Sequence, residues 1–158
     1  MPAFSVLILT IGIPGAGKTT WVNTYKKTHP RAFIVSTDEI RKDLTGSIAC
    51  DPNQNDMIHE EARKQVKNLI EHPLVNGTLG PEIVVDSTNV DVQEWLKYKD
   101  LKPSVILAKV FNVEPEEAMK RQQVRGRIVP QEILDQKWKT LQQNKKYMPY
   151  IFNMILDD

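Results

Sequence analysis

The sequence has little cysteine, almost no excess charge and no long apolar run, and each scarcity excludes a class of protein. Cys50 is the single cysteine among 158 residues, so the chain can form no internal disulfide, and we expect a reducing, cytoplasmic compartment. Lysine and arginine total 21 against 20 aspartate and glutamate residues, a formal net charge of +1. The chain therefore lacks a global basic field that would attract nucleic acid, although local clusters can still bind a polyanion.

The apolar stretches are too short to cross a membrane, which takes about 20 residues in a helix. The first stretch, residues 6–11, has no lysine or arginine before it and runs directly into a glycine-rich segment. We interpret it as a buried strand and not as a signal peptide. We expect a single domain over residues 1–158 and no membrane contact.

The glycine-rich segment, residues 12–19, reads Gly-Ile-Pro-Gly-Ala-Gly-Lys-Thr. A strand, then G-x-x-x-x-G-K-[ST], then a helix is the P-loop arrangement, in which backbone N–H groups and a helix N-terminus surround phosphate oxygens. The lysine reaches the β- and γ-phosphates, and the threonine hydroxyl can bind Mg²⁺. The pattern predicts ATP, or another nucleoside triphosphate, on Gly12, Pro14, Gly15, Ala16, Gly17, Lys18, Thr19 and Thr20.

Further apolar runs at residues 32–35, 82–85 and 104–111 alternate with helical patterns. This alternation predicts the α/β class, with a mostly parallel sheet of four or five strands and helices on both faces. The tail, residues 150–156, is open to three interpretations at this stage: a last strand, a docked segment, or a contact in a homo-oligomer.

Acidic and basic side chains follow the second apolar run. Because ligands in open α/β sheets bind beyond the carboxyl ends of the strands, Asp38 is expected to face the phosphates, where it can accept a proton from an attacking hydroxyl. Arg41 lies three residues on and can bind a phosphate of the acceptor. The alternative is structural, with Asp38 as a helix N-cap and Arg41 as a solvated helix residue.

The third apolar run ends in Asp86, the Walker B pattern, which places a carboxylate near Mg²⁺. With Thr19 it forms the predicted metal site. Thr88 and Asn89 follow directly and are candidate contacts of the acceptor, although a simple turn explains them equally well.

A basic cluster of Arg121, Arg125 and Arg127 surrounds Gly126. Arg121 and Arg125 are four residues apart on one helix face, where like charges repel unless an anion lies between them. We expect a lid, residues 114–130, that closes over the triphosphate and stabilises the transferred phosphoryl group. The alternative is a solvated basic helix face.

The order of these motifs resembles the phage-type polynucleotide 5′-kinases, members of the P-loop kinase superfamily, over nearly the whole chain. The resemblance implies transfer of the ATP γ-phosphate to the 5′-hydroxyl end of DNA or RNA, with Mg²⁺, in nucleic-acid repair. It implies Asp38 as general base, Lys18, Arg121 and Arg125 on the donor phosphates, and Arg41 on the 3′-phosphate of the acceptor. A phage-encoded protein of this kind acts in the host cytoplasm.

Two departures from that family widen the choice of acceptor. The chain is too short for the 3′-phosphatase domain of the bifunctional members, and residues 86–89 read Asp-Ser-Thr-Asn where the phage enzyme has the serine before the aspartate. A kinase for a nucleoside, nucleotide or sugar nucleotide is the alternative. A regulatory module that binds nucleotide without transferring phosphate is the third hypothesis.

Overall fold

The computed structural model describes residues 3–48, 51–125 and 128–156, apart from the side chains of Val124 and Arg125. The strands are β1 (Val6–Ile11), β2 (Phe33–Ser36), β3 (Glu82–Asp86), β4 (Val105–Val110) and β5 (Met154–Leu156). The α-helices in these ranges are α1 (Lys18–Thr28), α2 (Thr37–Thr45), α3 (Asn55–Glu71), α4 (Val92–Lys99), α5 (Pro115–Arg125), α6 (Gln131–Asn144) and α7 (Met148–Ile151).

The five strands form one sheet in the order β2-β3-β1-β4-β5, and every neighbouring pair is parallel. The register places Leu7 of β1 beside Ile83 of β3 on one side and Ile106 of β4 on the other. The predicted α/β class and parallel sheet are confirmed. Of the three interpretations of the tail, the last strand is correct, since β5 pairs with β4.

The central strands carry apolar side chains on both faces because helices cover both. On one face, Leu7, Leu9 and Ile11 of β1 belong to a core cluster with side chains of α3, α4, α6 and α7. On the other face, Ile8 packs with Val22 of α1. The parallel strands therefore end at one edge of a rigid sheet, and that edge carries the loops of interest.

Thr10 is the exception in this apolar strand, and its fully buried hydroxyl joins β1 to the segment after β3. The Thr10 Oγ1 lies 3.0 Å from the carbonyl oxygens of Val85 and Ser87, and it accepts a bond from the Ser87 N–H at 3.1 Å. The Asn89 side-chain amide donates to the Thr10 carbonyl at 2.9 Å. These bonds fix the backbone that follows Asp86 against β1.

Trp95 of α4 is fully buried and packs beneath the segment that follows β3. Its indole N–H donates to the Asn89 carbonyl, and its ring packs edge-on against Phe152 with 5.4 Å between the ring centroids. Trp95 belongs to the main core cluster, whereas Trp138 is only partly buried beside a smaller cluster. None of the described helices combines the length and the apolar character that crossing a bilayer requires.

We predict that Thr10→Val lowers the free energy of unfolding by about 1–3 kcal/mol, because valine keeps the shape but leaves buried N–H and C=O groups without their partner. Urea unfolding measures this change. Thr24→Val is the matched control, since Thr24 makes one exposed bond, to the Thr20 carbonyl, and its replacement should cost no more than about 0.5 kcal/mol. Equal effects of the two variants would contradict the structural role of Thr10.

Candidate active site

The loop after β1 takes the conformation that phosphate binding requires. Gly15 and Gly17 have positive φ angles of 86° and 96°, which side chains disfavour and glycine adopts freely. Gly17 is the N-cap of α1, so Lys18 begins the helix. The Lys18 ammonium donates to the carbonyls of Gly12 at 2.8 Å and Ile13 at 2.7 Å. Carbonyl groups of the loop thus bind the Lys18 ammonium close to the N-terminal, positive end of α1.

The remaining loop residues have distinct surroundings. The Gly12 N–H donates to the Thr88 carbonyl at 3.0 Å, and a Cβ atom at Gly12 would lie 2.9 Å from the Phe111 Cβ. Only glycine allows this approach. Ala16 is buried, with its carbonyl on the guanidinium of Arg121, while Thr20 is exposed on the first turn of α1.

A cavity of about 390 Å³ opens beside this loop. Its lining comes from the loop and the start of α1, from the end of β2 with the start of α2, from Ile48 beyond α2, from the end of β3 with the residues that follow it, and from α5 with Val129. The candidate residues among the lining are Pro14, Gly15, Gly17, Lys18, Thr19, Asp38, Asp86 and Thr88. The structure thus gathers the P-loop and both predicted carboxylates around one space.

Asp38 lies in the first turn of α2 and lines this cavity. It does not cap the helix, because Ser36 is the N-cap and its hydroxyl accepts the Glu39 N–H at 3.3 Å. Arg41 is also not a solvated helix residue, since only 6% of it is exposed. It is absent from the cavity lining, and its guanidinium bonds to Asn55 of α3. Both structural alternatives for this pair are therefore wrong.

Asp86, the last residue of β3, meets Thr19 at the floor of the cavity. The Thr19 hydroxyl donates to the Asp86 Oδ2 at 3.1 Å. Hydroxyl and carboxylate oxygens are ligands of Mg²⁺ in proteins, so this pair can hold the ion. The described residues contain no group of three or more His, Cys, Asp or Glu side chains suited to a metal.

The two residues predicted as acceptor contacts after β3 lie apart. Thr88 lines the cavity, but Asn89 does not. Asn89 has a positive φ of 48° and is 4% exposed, with its side-chain amide on the Thr10 carbonyl. The prediction that Asn89 contacts the acceptor is therefore wrong. Its role is structural, because the bonds of the β1–β3 junction hold its side chain inside the protein.

The α5 helix, which forms most of the described part of the predicted lid, lies on the P-loop. Arg121 Nη1 donates to the Ala16 carbonyl at 3.2 Å, and its Nε pairs with the Glu117 carboxylate at 3.3 Å. Arg121 therefore reaches the loop without lining the cavity. The side chain of Arg125 lies outside the described residues, as do Gly126 and Arg127.

Gln122 is a site residue that sequence reasoning missed. It is 4% exposed and lines the cavity together with Val129. Its amide donates to the Val129 carbonyl at 3.3 Å and accepts the Val129 N–H at 3.0 Å. The sequence held no signal for it, because Gln122 lies one helical turn after Ala118, and the contact of Ala118 with Gly15 is seen only in the structure.

Comparison with known proteins agrees with this geometry. The family model described as an AAA domain matches residues 7–146. A chain in the structure of the Pnkp1/Rnl/Hen1 RNA repair complex superposes with a TM-score of 0.75 at 24% identity, covering 92% of this chain and 47% of that one. A chain in a second structure of the Pnkp1/Rnl/Hen1 complex superposes with a TM-score of 0.61 at 25% identity, covering 77% of this chain and 40% of that one. Our chain thus spans less than half the length of these two.

A gluconokinase from Sinorhizobium meliloti 1021 also has this fold. It superposes with a TM-score of 0.61 at 15% identity, covering 98% of this chain and 83% of that one. An identity this low shows a shared fold and nothing about the acceptor. The comparisons therefore establish an α/β P-loop fold of the kind found in kinases, and this fold implies the binding of a nucleoside triphosphate.

We predict that Gly15→Ala destabilises the chain and weakens ATP binding. The added Cβ would lie 2.6 Å from the Ala118 carbonyl oxygen, so α5 or the loop must move, at a cost of about 1–3 kcal/mol beyond the φ strain. Urea unfolding and calorimetry with ATP measure both effects.

The matched control for Gly15→Ala is Gly77→Ala, where φ is +79° but no atom lies within 4 Å. It carries the same backbone strain without the clash, so it should keep ATP affinity and lose less stability. Equal losses in both variants would show that the contact between α5 and the loop is unimportant.

Proposed function

The chain belongs to the AAA domain family, and we propose that it is a kinase that transfers the γ-phosphate of ATP to the 5′-hydroxyl end of a polynucleotide. The observation that carries the proposal is the position of Asp38, which lines the same cavity as Lys18. Nucleotide binding alone does not require a carboxylate there. Phosphoryl transfer does, because a proton acceptor assists the attacking hydroxyl.

The reaction is an in-line displacement. The 5′-oxygen of the acceptor attacks the γ-phosphorus, its proton passes to the Asp38 carboxylate, and the bond from phosphorus to the bridging oxygen of ADP breaks. Lys18 stabilises charge on the β- and γ-phosphates as the transferred group moves. Arg121 lies next to the loop and adds a second positive charge when it exchanges the Ala16 carbonyl for phosphate.

Thr19 and Asp86 are the residues that fit Mg²⁺, since their oxygens already lie 3.1 Å apart. The ion, when bound with the nucleotide, neutralises phosphate charge. Within the chain, the Thr19 hydroxyl and the Asp86 carboxylate orient each other, and this contact holds the first turn of α1 against the end of β3.

Two observations support a nucleic-acid acceptor. Arg41, three residues after Asp38 on α2, is a buried cation that pairs with no carboxylate among the described residues, which suits an acceptor that carries phosphate. The chain also resembles a chain of the Pnkp1/Rnl/Hen1 RNA repair complex.

A kinase for a small acceptor is the second candidate. The fold accommodates such an acceptor, since a gluconokinase shares it over 98% of this chain and 83% of its own. The two candidates share the donor machinery and differ in salt dependence, since a polynucleotide releases counterions on binding and loses affinity steeply as salt rises.

We predict that Asp38→Asn lowers kcat by about 10²–10⁴-fold, the usual contribution of a general base, with ATP affinity unchanged. Initial rates of phosphate transfer to a 5′-hydroxyl oligonucleotide give kcat, and calorimetry gives the affinity for ATP. The control is Asp43→Asn, an exposed carboxylate on the same helix, which should retain full activity. An Asp38→Asn enzyme with normal kcat would remove the proposed base.

We predict that Asp86→Asn raises the Mg²⁺ concentration needed for half-maximal ATP binding by about 10–100-fold. The cause is the loss of one carboxylate charge beside the Thr19 hydroxyl. Titration of Mg²⁺ at fixed ATP, followed by calorimetry, needs no acceptor and tests the metal site alone. Asp91→Asn, which keeps its N-cap role on α4 outside the cavity, should behave as the unmodified chain, and identical curves for both variants would exclude Asp86 as a metal ligand.

A further inference from the structure

Arg41 is a positive charge held inside the protein by a neutral partner. It is 6% exposed, and its side-chain bonds run to one atom, the Oδ1 of Asn55 at the start of α3. No carboxylate of the described residues forms an ion pair with it. A buried charge without a counter-charge is costly, so the arrangement favours an anion that arrives from outside.

The geometry of these bonds leaves one edge of the guanidinium unoccupied. Nη1 and Nη2 lie 3.3 and 3.2 Å from the Asn55 oxygen, so Asn55 engages the end of the planar group. Nε is buried and has no hydrogen-bond partner. Because guanidinium N–H groups form a rigid fork, the edge that contains Nε can take two oxygens of a phosphate or carboxylate.

The surroundings of Arg41 favour a negative ligand. His59, one turn along α3 from Asn55, lies within the electrostatic reach of three cations, Arg41, Arg63 and Lys137, and burial lowers its pKa. The nearby carboxylate of Glu94 accepts two bonds from Arg63, at 2.8 and 3.0 Å. Glu94 also opposes the effect of burial on the His59 pKa, but its ion pairs are with Arg63 and Lys97 and not with Arg41.

We propose that Asn55 is a positioning residue that holds the Arg41 guanidinium so that its Nε edge receives an anionic group of the acceptor. The inference rests on the proposed function, and it adds the residue that orients Arg41 and the edge of the guanidinium that makes the contact. Nε is shielded from solvent, so binding of the anion requires a local movement that exposes this atom. The anion is a phosphate if the acceptor is a nucleotide chain, and a carboxylate if it is a sugar acid.

The test is a double-mutant cycle on Asn55→Ala and Arg41→Ala at saturating ATP. Each protein is assayed with a nucleoside 3′-monophosphate and with the unphosphorylated nucleoside. We expect Asn55→Ala to raise KM for the monophosphate about tenfold, with kcat and the KM for the nucleoside unchanged. Adding Asn55→Ala to Arg41→Ala should have no further effect, because the two residues act as a unit.

Asn68→Ala is the matched control, since Asn68 is an exposed asparagine on the same helix, and it should leave both KM values unchanged. Asn55→Asp keeps the accepting oxygen but adds a charge that competes with the ligand, so it should also raise KM for the monophosphate. Equal KM changes for both acceptors in Asn55→Ala, or additive effects in the double variant, would overturn the proposal.

Two further arms separate this inference from the proposed function. The same cycle with gluconate as acceptor identifies the anion: a KM change confined to gluconate supports the role of Asn55 and contradicts the polynucleotide acceptor. Calorimetric binding of the nucleoside 3′-monophosphate reads the contact without turnover. A non-additive loss of affinity supports the proposal even if no phosphate is transferred, and no binding to the unmodified chain, together with no KM change for gluconate, overturns it.

Discussion

The pairing of β1 with β3 continues beyond the sheet, and the site depends on this continuation. Thr10 bonds the backbone after Asp86, and the Gly12 N–H donates to the Thr88 carbonyl at 3.0 Å. The Thr19 hydroxyl then reaches Asp86 from the first turn of α1. These bonds join β1, the loop after it and the first turn of α1 to the end of β3 and the segment that follows it. The loop and the Asp86 carboxylate therefore keep a fixed relation before any ligand binds, which is the preorganisation that catalysis by charge stabilisation requires.

The features that the sequence predicted well are those whose causes are local. The P-loop conformation follows from glycine at positions 15 and 17, and the strands follow from apolar runs between helical segments. The side chains of Arg41 and Asn89 were harder to place, because α3 and the β1–β3 junction hold them through contacts distant in sequence. Gln122 was missed because its role depends on the packing of α5 against the loop.

The fold determines the contacts of the phosphate donor more fully than the contacts of the acceptor. Backbone amides of one loop bind the triphosphate, so a shared fold implies a shared donor. The acceptor meets side chains of α2 and its neighbours, which differ between proteins of the same fold. A chain of the Pnkp1/Rnl/Hen1 complex and a gluconokinase can therefore both superpose on this chain, each with a TM-score of 0.61. Asp38 and Arg41 are therefore the residues that bear on the identity of the acceptor.

The most direct test of this account is the transfer of labelled γ-phosphate from ATP, with Mg²⁺, to separate acceptors: a 5′-hydroxyl oligonucleotide, a nucleoside and gluconate. We expect label on the 5′ end of the oligonucleotide, at a rate that falls steeply as salt rises. Label on gluconate or the nucleoside alone would keep the kinase and contradict the polynucleotide acceptor. No label on any acceptor, with ATP still bound, would contradict phosphoryl transfer itself.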